Sequence, residues 1–150
     1  MTHHDIAIRA AERFLGLPYL WGGDDPMSGF DCSGLMVEVL KSSGILPRHG
    51  DWTADSLMRF GWTERTPNER ELEPGCLVFW GKTHPVQKAT HVEMVYAVIG
   101  TDIITIGSSG GGSITNTAQD AVKQNAYVKL RPMRDNPIAA RDPFAAVRER

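Results

Sequence analysis

The feature that most constrains this chain is a change of character at Pro74-Gly75. Before it, apolar residues recur at helical spacing. After it, they gather in short runs rich in β-branched and aromatic residues, at 76–80, 92–98, 103–106 and 127–130, with turn residues between. Helices first and strands second predict an α+β domain, with helices packed against a mostly antiparallel sheet. A chain of 150 residues, 41% of them hydrophobic, is long enough to bury one real core.

Within the helical half, residues 5–15 read as an amphipathic helix with Ile8, Ala11 and Leu15 on one face, stopped by Gly16 and Pro18. A loop rich in Gly, Asp and Pro follows to Asp31. The next helix is the clearest. Cys32, Leu35, Met36, Val39 and Leu40 make one apolar stripe, and Gly44 ends it. Asp51 or Thr53 is positioned to cap a third helix running through Phe60. The charged stretch from Arg134, with Pro137 and Pro143, reads as a surface tail with a short helical end. Residues 1–133 would then do the work, and 134–150 would be an appendage of the same single domain.

The balance of 16 basic and 18 acidic residues, net −2, holds no basic run, so nucleic acid and anionic membranes are not suggested as partners. The first residues lack the basic start and apolar core of a signal peptide, and no apolar run is long enough to span a bilayer. The expectation is a protein made in a cytoplasm, in which Cys32 and Cys76 are poor candidates for a disulfide.

Asp31-Cys32-Ser33-Gly34 places a thiol where its helix begins. Backbone N–H groups and the macrodipole favour negative charge there, which lowers a thiol pKa and offers donors to an oxyanion. Gly34 removes bulk beside the sulfur, so that a substrate can approach. The bland alternative is that Cys32 is only the first buried residue of the stripe.

The surroundings decide between these. Gly16-Leu-Pro-Tyr-Leu-Trp-Gly-Gly23 precedes Phe30-Asp-Cys-Ser-Gly-Leu35, and Glu73-Pro-Gly-Cys-Leu-Val-Phe79 and Thr90-His-Val-Glu-Met-Val-Tyr96 follow. In order and content this resembles the NlpC/P60 family of cell-wall cysteine peptidases, relatives of the papain-like fold, from about Gly16 to Gly111. The resemblance implies Cys32 as nucleophile and His91 as its base. Of the five histidines, His3 and His4 belong to a frayed end, His49 to a loop able to line a groove, and His84 to an exposed connection; His91 alone matches the family's base.

The third group departs from the pattern. In Ile106-Gly-Ser-Ser-Gly-Gly-Gly-Ser113, Gly107 fills the slot where the family has His, Asn or Gln. Ser108 is the chosen substitute, with Ser109, a carbonyl, a water or a bare dyad as alternatives. The glycines themselves read as a flexible turn. By resemblance Tyr19 helps hold the oxyanion, and Asp31 and Ser33 receive the free amine of a short peptide, although Asp31 is also a natural helix cap. Trp21, Trp52 and Trp62 are candidates to wall the groove, with core packing as the default for each. Cys76, where the family has Asp, reads as a buried, inert thiol. No His/Cys spacing makes a zinc site, and nothing demands a metal or cofactor.

The resemblance therefore implies amide hydrolysis through a thioester. The bond expected is in a peptidoglycan stem peptide or muropeptide, between D-glutamate, through its γ-carboxyl, and a diamino acid. Two rivals share the fold: an amidase or acyltransferase on another substrate, and a silent module such as a phage tail component with tail proteins as partners. Location is open between the cytoplasm, the wall and a virion.

Overall fold

The computed structural model of the protein describes residues 1–46 and 52–148. Helix α1 (His3–Glu12) is closed at its start by a reciprocal Thr2/Asp5 capping box. His3 and His4 are thus inside a capped helix and not in a frayed end. The helix also stops earlier than its apolar pattern: Phe14 and Leu15 bond back to Ala11 and Glu12 in tight turns, and Leu15 is exposed. Ala7 and Ala11 are the buried residues of α1.

The loop after it contains a small hairpin of β1 (Asp24–Asp25) and β2 (Gly29–Phe30). Helix α2 (Cys32–Ser42) follows the expected stripe, capped by Asp31. Helix α3 (Ala54–Arg59) is capped by Thr53, with Ser56 completing the box. The alternative cap, Asp51, lies outside the described residues, as does His49.

Strands β3 (Thr63–Arg65), β4 (Leu77–Lys82), β5 (Lys88–Ile99), β6 (Asp102–Ser109), β7 (Tyr127–Pro132) and β8 (Ala139–Asp142) form one sheet in the order β3-β8-β4-β5-β6-β7. All its pairings are antiparallel. Helix α4 (Ala118–Gln124), with a Thr117/Asp120 capping box and a left-handed Asn125 at its end, enters β7, and α5 (Ala145–Arg148) follows β8.

Helices α1, α2 and α3 cover one face of the sheet. The main core lies between, built on Leu35, Met36, Leu40, Leu57, Phe79, Met94 and Ile106. Leu72, Cys76, Val78, Trp80, Val95 and Ala140 pack on the opposite face. That is why β4 reads as an unbroken apolar run: it is buried on both sides.

The surface-tail expectation for 134–150 does not hold. Strand β8 sits inside the sheet, paired with β3 on one side and β4 on the other. Ala139, Ala140, Asp142, Phe144 and Ala145 are buried. Two of the charges that suggested a tail are held inward: Arg141 donates to the Met58 carbonyl, and Arg65 reaches the Asp142 carboxylate.

Candidate active site

Cys32 is the first residue of α2 and is 7% exposed. Its cap does more than start a helix. One Asp31 oxygen accepts from the Gly34 N–H at 2.7 Å and from Ser33 Oγ at 3.3 Å, and the other accepts from the Gly22 N–H at 3.1 Å. The Asp31 N–H in turn donates to the Gly23 carbonyl at 3.0 Å, so cap and loop are locked together. Gly34 makes this possible. A Cβ there would lie 2.0 Å from the Gly23 oxygen. The space that a side chain at position 34 would need is therefore taken by the protein's own loop.

From helix α2 the sulfur reaches the backbone of β5. Cys32 Sγ donates to the Thr90 carbonyl at 3.9 Å, and the Val92 N–H also faces it. Cys32 thus sits against the residues on either side of His91. The pairing of β5 with β6 ends at Met94↔Ile106, so this stretch of β5 is clear of β6 where the helix start arrives.

The thiol is not activated by its position alone. Burial pushes it up, the neighbouring Asp31 charge adds to that, and the N–H groups of Val92, Ser33 and Cys32 only partly offset them, leaving it at about 11. The expected lowering at a helix start is outweighed by desolvation and by the cap's own charge.

His91 pairs with Trp80 across the β4–β5 ladder, and Glu93 pairs with Val78. Residues 91 and 93 point to the same face. The His91 ring lies 5.6 Å from that of Trp80, and its Nε2 is 2.5 Å from Glu93 Oε2. Glu93 is wholly buried and carries four donors in all. Arg131 donates to both of its oxygens, through Nε at 3.1 Å and through Nη2, and Thr105 Oγ1 donates to Oε1 at 2.8 Å. Burial pushes the Glu93 carboxyl up, but the hydrogen bonds and charges of His91 and Arg131 overcome it and hold it at about 2. It is an anion.

This arrangement accounts for Gly107. A Cβ on it would come within 2.5 Å of Glu93 Cγ. The slot that the resemblance assigns to an orienting residue on β6 is filled from the next strand by the Glu93 side chain. Sequence reasoning missed this residue and gave Glu93 no role.

Ser108 does not reach His91. Its Oγ is buried and donates to the Phe30 carbonyl at 2.7 Å, so it ties β6 to the segment entering α2. Ser109 Oγ, also buried, makes no hydrogen bond among the described residues. Residues 107–109 belong to β6, so the glycine run is not a flexible turn at its start.

Tyr19 is 4% exposed and lines the groove with Cys32. Burial raises its hydroxyl well above the ordinary range, and charges at Cys32 and Asp31 act in the same direction. Its ring packs on Gly111, where a Cβ would be 2.4 Å from Cδ1. The groove itself encloses about 450 Å³ over Cys32, Ser33, Asp31 and Tyr19, with Trp21 and Trp52 on its walls. Trp21 is 56% exposed, so it walls the groove and does not pack in the core. Trp52 and Trp62 are half-buried, each against Phe60. Cys76 forms no disulfide and is buried on the far face. Among the described residues no group of three or more His, Cys, Asp or Glu side chains could hold a metal ion.

The chain is 39% identical over 93 residues to the bifunctional muramidase/DL-endopeptidase CwlT of Bacillus subtilis (strain 168), covering 61% of this chain and 26% of that protein. To the murein DD-endopeptidase MepH of Escherichia coli (strain K12) it is 34% identical over 129 residues, 84% of this chain and 44% of the relative. It thus spans less than half the length of either. Among solved structures, a NlpC/P60 family protein from Bacillus cereus ATCC 10987 superposes with a TM-score of 0.64 at 25% identity, over 92% of this chain and 39% of the other. The family model described as NlpC/P60 matches residues 16–134, most of the chain and all of the site just described, and the protein belongs to the NlpC/P60 family.

Proposed function

We propose that this protein is a peptidoglycan cysteine endopeptidase, with Cys32 as nucleophile and His91 as base. The observation that carries the reading is the placement of Cys32 Sγ at the floor of the groove, against the backbone on both sides of His91. Ionised Glu93 is an acceptor only, so His91 Nε2 carries the proton of that hydrogen bond, and Nδ1 is left to take one. A buried thiol at about 11 is protonated at neutral pH, so attack is coupled to loss of its proton. The thiol turns from the Thr90 carbonyl, gives its proton to Nδ1, and the sulfur adds to the amide carbon. The oxyanion meets the N–H groups at the start of α2 and the Tyr19 hydroxyl. His91 then protonates the leaving amine, and water hydrolyses the thioester that remains.

On the substrate side, Asp24, Asp31 and Glu38 line the groove together with Lys41. An acidic rim suits a short peptide with a free amine, and Asp31 with Ser33 stands nearest the sulfur for that role. The bond proposed is D-γ-glutamyl to diamino acid in a muropeptide. The test is incubation of soluble muropeptides with wild type and Cys32→Ala, read by mass spectrometry. Cleavage by wild type alone, with water added at that bond, supports the proposal. Equal turnover by Cys32→Ala removes it, and transfer of the acyl group to an amine in place of water would make the protein an acyltransferase.

A further inference from the structure

We infer that Glu93 is the positioning residue for His91, and that Glu93 on β5 and Gly107 on β6 form a complementary pair that moves this role to the base's own strand. The inference rests on the dyad reading above and concerns how the base is held.

Three observations carry it. The first is space. Gly107 has no side chain, and the nearest atom to a Cβ there is Glu93 Cγ at 2.5 Å, with Cβ and Cδ both at 3.1 Å. One volume exists between the strands, and only one of the two positions can fill it. The second is contact. The carboxylate that fills it reaches the ring of His91, through Oε2 to Nε2 at 2.5 Å. The third is fixation. Thr105 and Arg131 donate to the same carboxylate from β6 and β7, so it is held from the two strands beyond its own. Arg131 Nη2 also stands 3.5 Å from His91 Nε2, which puts the positive charge on the Glu93 side of the ring.

The consequence is a choice of tautomer. A neutral amide at position 107 could accept or donate towards the imidazole. An ionised carboxylate can only accept, so it admits the Nε2–H form and leaves the Nδ1 lone pair for the proton of Cys32. An imidazole of the other tautomer would put a lone pair against an anion. The ion pair with Arg131 keeps Glu93 charged in its buried setting, so the acceptor does not become a donor. A purely structural ion pair tying β5 to β7 would also be buried and bonded, but it would not matter to the thiol.

The experiment separates these. In the wild-type protein, long-range 15N–1H correlation spectra of the histidine rings are expected to show His91 as the Nε2–H tautomer at neutral pH. An Nδ1–H pattern overturns the inference without any mutation. Glu93→Gln, checked for its fold by circular dichroism, is expected to lower the rate of iodoacetamide reaction at Cys32 about 100-fold at pH 7, followed by peptide mass mapping to separate Cys32 from Cys76. On a cleaved muropeptide kcat should fall by a similar factor with KM nearly unchanged. A folded Glu93→Gln with alkylation within twofold of wild type leaves Glu93 a structural residue.

The exchange itself is the second route, useful if Glu93→Gln does not fold. Gly107→His alone meets the Glu93 side chain and should abolish Cys32 reactivity, whereas Glu93→Gly with Gly107→His should recover at least a tenth of it. If the double variant is no better than the worse single one, the two positions are not complementary. Alkylation needs no muropeptide. Loss of alkylation in Glu93→Gln with no muropeptide cleaved by wild type would retain this inference and remove the proposed substrate, and the reverse result would do the opposite.

Discussion

The proposed nucleophile and the proposed base are held by opposite means. On the Cys32 side the contacts are mostly backbone: a helix start, the Asp31 cap and a loop carbonyl packed onto a glycine. On the His91 side they are polar and charged side chains from three neighbouring strands, with Glu93 at the centre. Backbone contacts fix position by volume and tolerate no added atoms. Charged side chains fix it by protonation state, and they respond to pH. The first region should therefore be the more sensitive to steric change, and the two should titrate at opposite ends of the pH range.

Gly34→Ala should break the first region most severely. Its new methyl would stand 2.0 Å from the Gly23 carbonyl oxygen and 2.9 Å from Asp31 Oδ1, and the closer contact is backbone that no rotamer change can relieve. A loss of roughly 3–5 kcal/mol, or failure to fold, is expected from such overpacking in urea melts. A Gly34→Ala variant that melts like wild type would show that the loop is free to retreat.

Titration gives the next largest effects, and the two regions differ in sign. Glu93 is held at about 2, below its ordinary 4.5, so the stability it supplies is present above about pH 4.5 and is lost as pH falls towards 2. The amount is on the order of 3 kcal/mol. Cys32 is held at about 11, above its ordinary 9.0, so its contribution is present below pH 9 and is lost as pH rises towards 11. Urea midpoints across pH should show Glu93→Gln flattening only the acid limb, and Cys32→Ala only the alkaline one. If either variant flattened both limbs, the regions would not be separable.

A smaller test sharpens the contrast inside the nucleophile region. Asp31→Asn keeps an oxygen for the Gly34 N–H but removes the charge that helps raise the Cys32 thiol. Stability should fall by about 1 kcal/mol. Direct alkylation of Cys32 should shift to lower pH, which a rate–pH profile would register. The smallest effect belongs to Ser108→Ala. Losing the hydrogen bond to the Phe30 carbonyl should cost about 1 kcal/mol, with kcat within twofold of wild type. A large fall in kcat would return Ser108 to the base.

Much of the fold is legible in the sequence because it follows from periodicity. The stripe from Cys32 to Leu40, the cap at Asp31, and the runs that became β4 to β7 are local signals. Strand β8 is not local. Ala139, Ala140 and Arg141 have no strand preference, and their pairing is imposed by β3 and β4. Helix α4 is short and announced only by Thr117 and Asp120. In the site, Cys32 and His91 stand out by type and context. Glu93 does not, because a charged residue in an alternating strand is ordinarily solvated. The signal that could have found it was Gly107: a glycine where the resemblance expects a polar side chain leaves room for one from the neighbouring strand, and Glu93 is the acidic residue two places beyond His91.

The place of β8 bears on the order in which the molecule can assemble. Leu77 pairs with Arg141, and Phe79 with Ala139, across some sixty residues of chain. Every residue of the site is synthesised before that partner exists. A nascent chain halted short of Ala139 would hold Cys32, His91, Glu93 and Arg131 and still lack the strand between β3 and β4. Contacts so distant in sequence are slow to form, because loop closure precedes any gain from pairing. Closure of the sheet at β8 is one such long-range step in refolding, as is the tie from Ser108 to Phe30. A site held by β5, β6 and β7 gains its full support only when the far side of the sheet has closed.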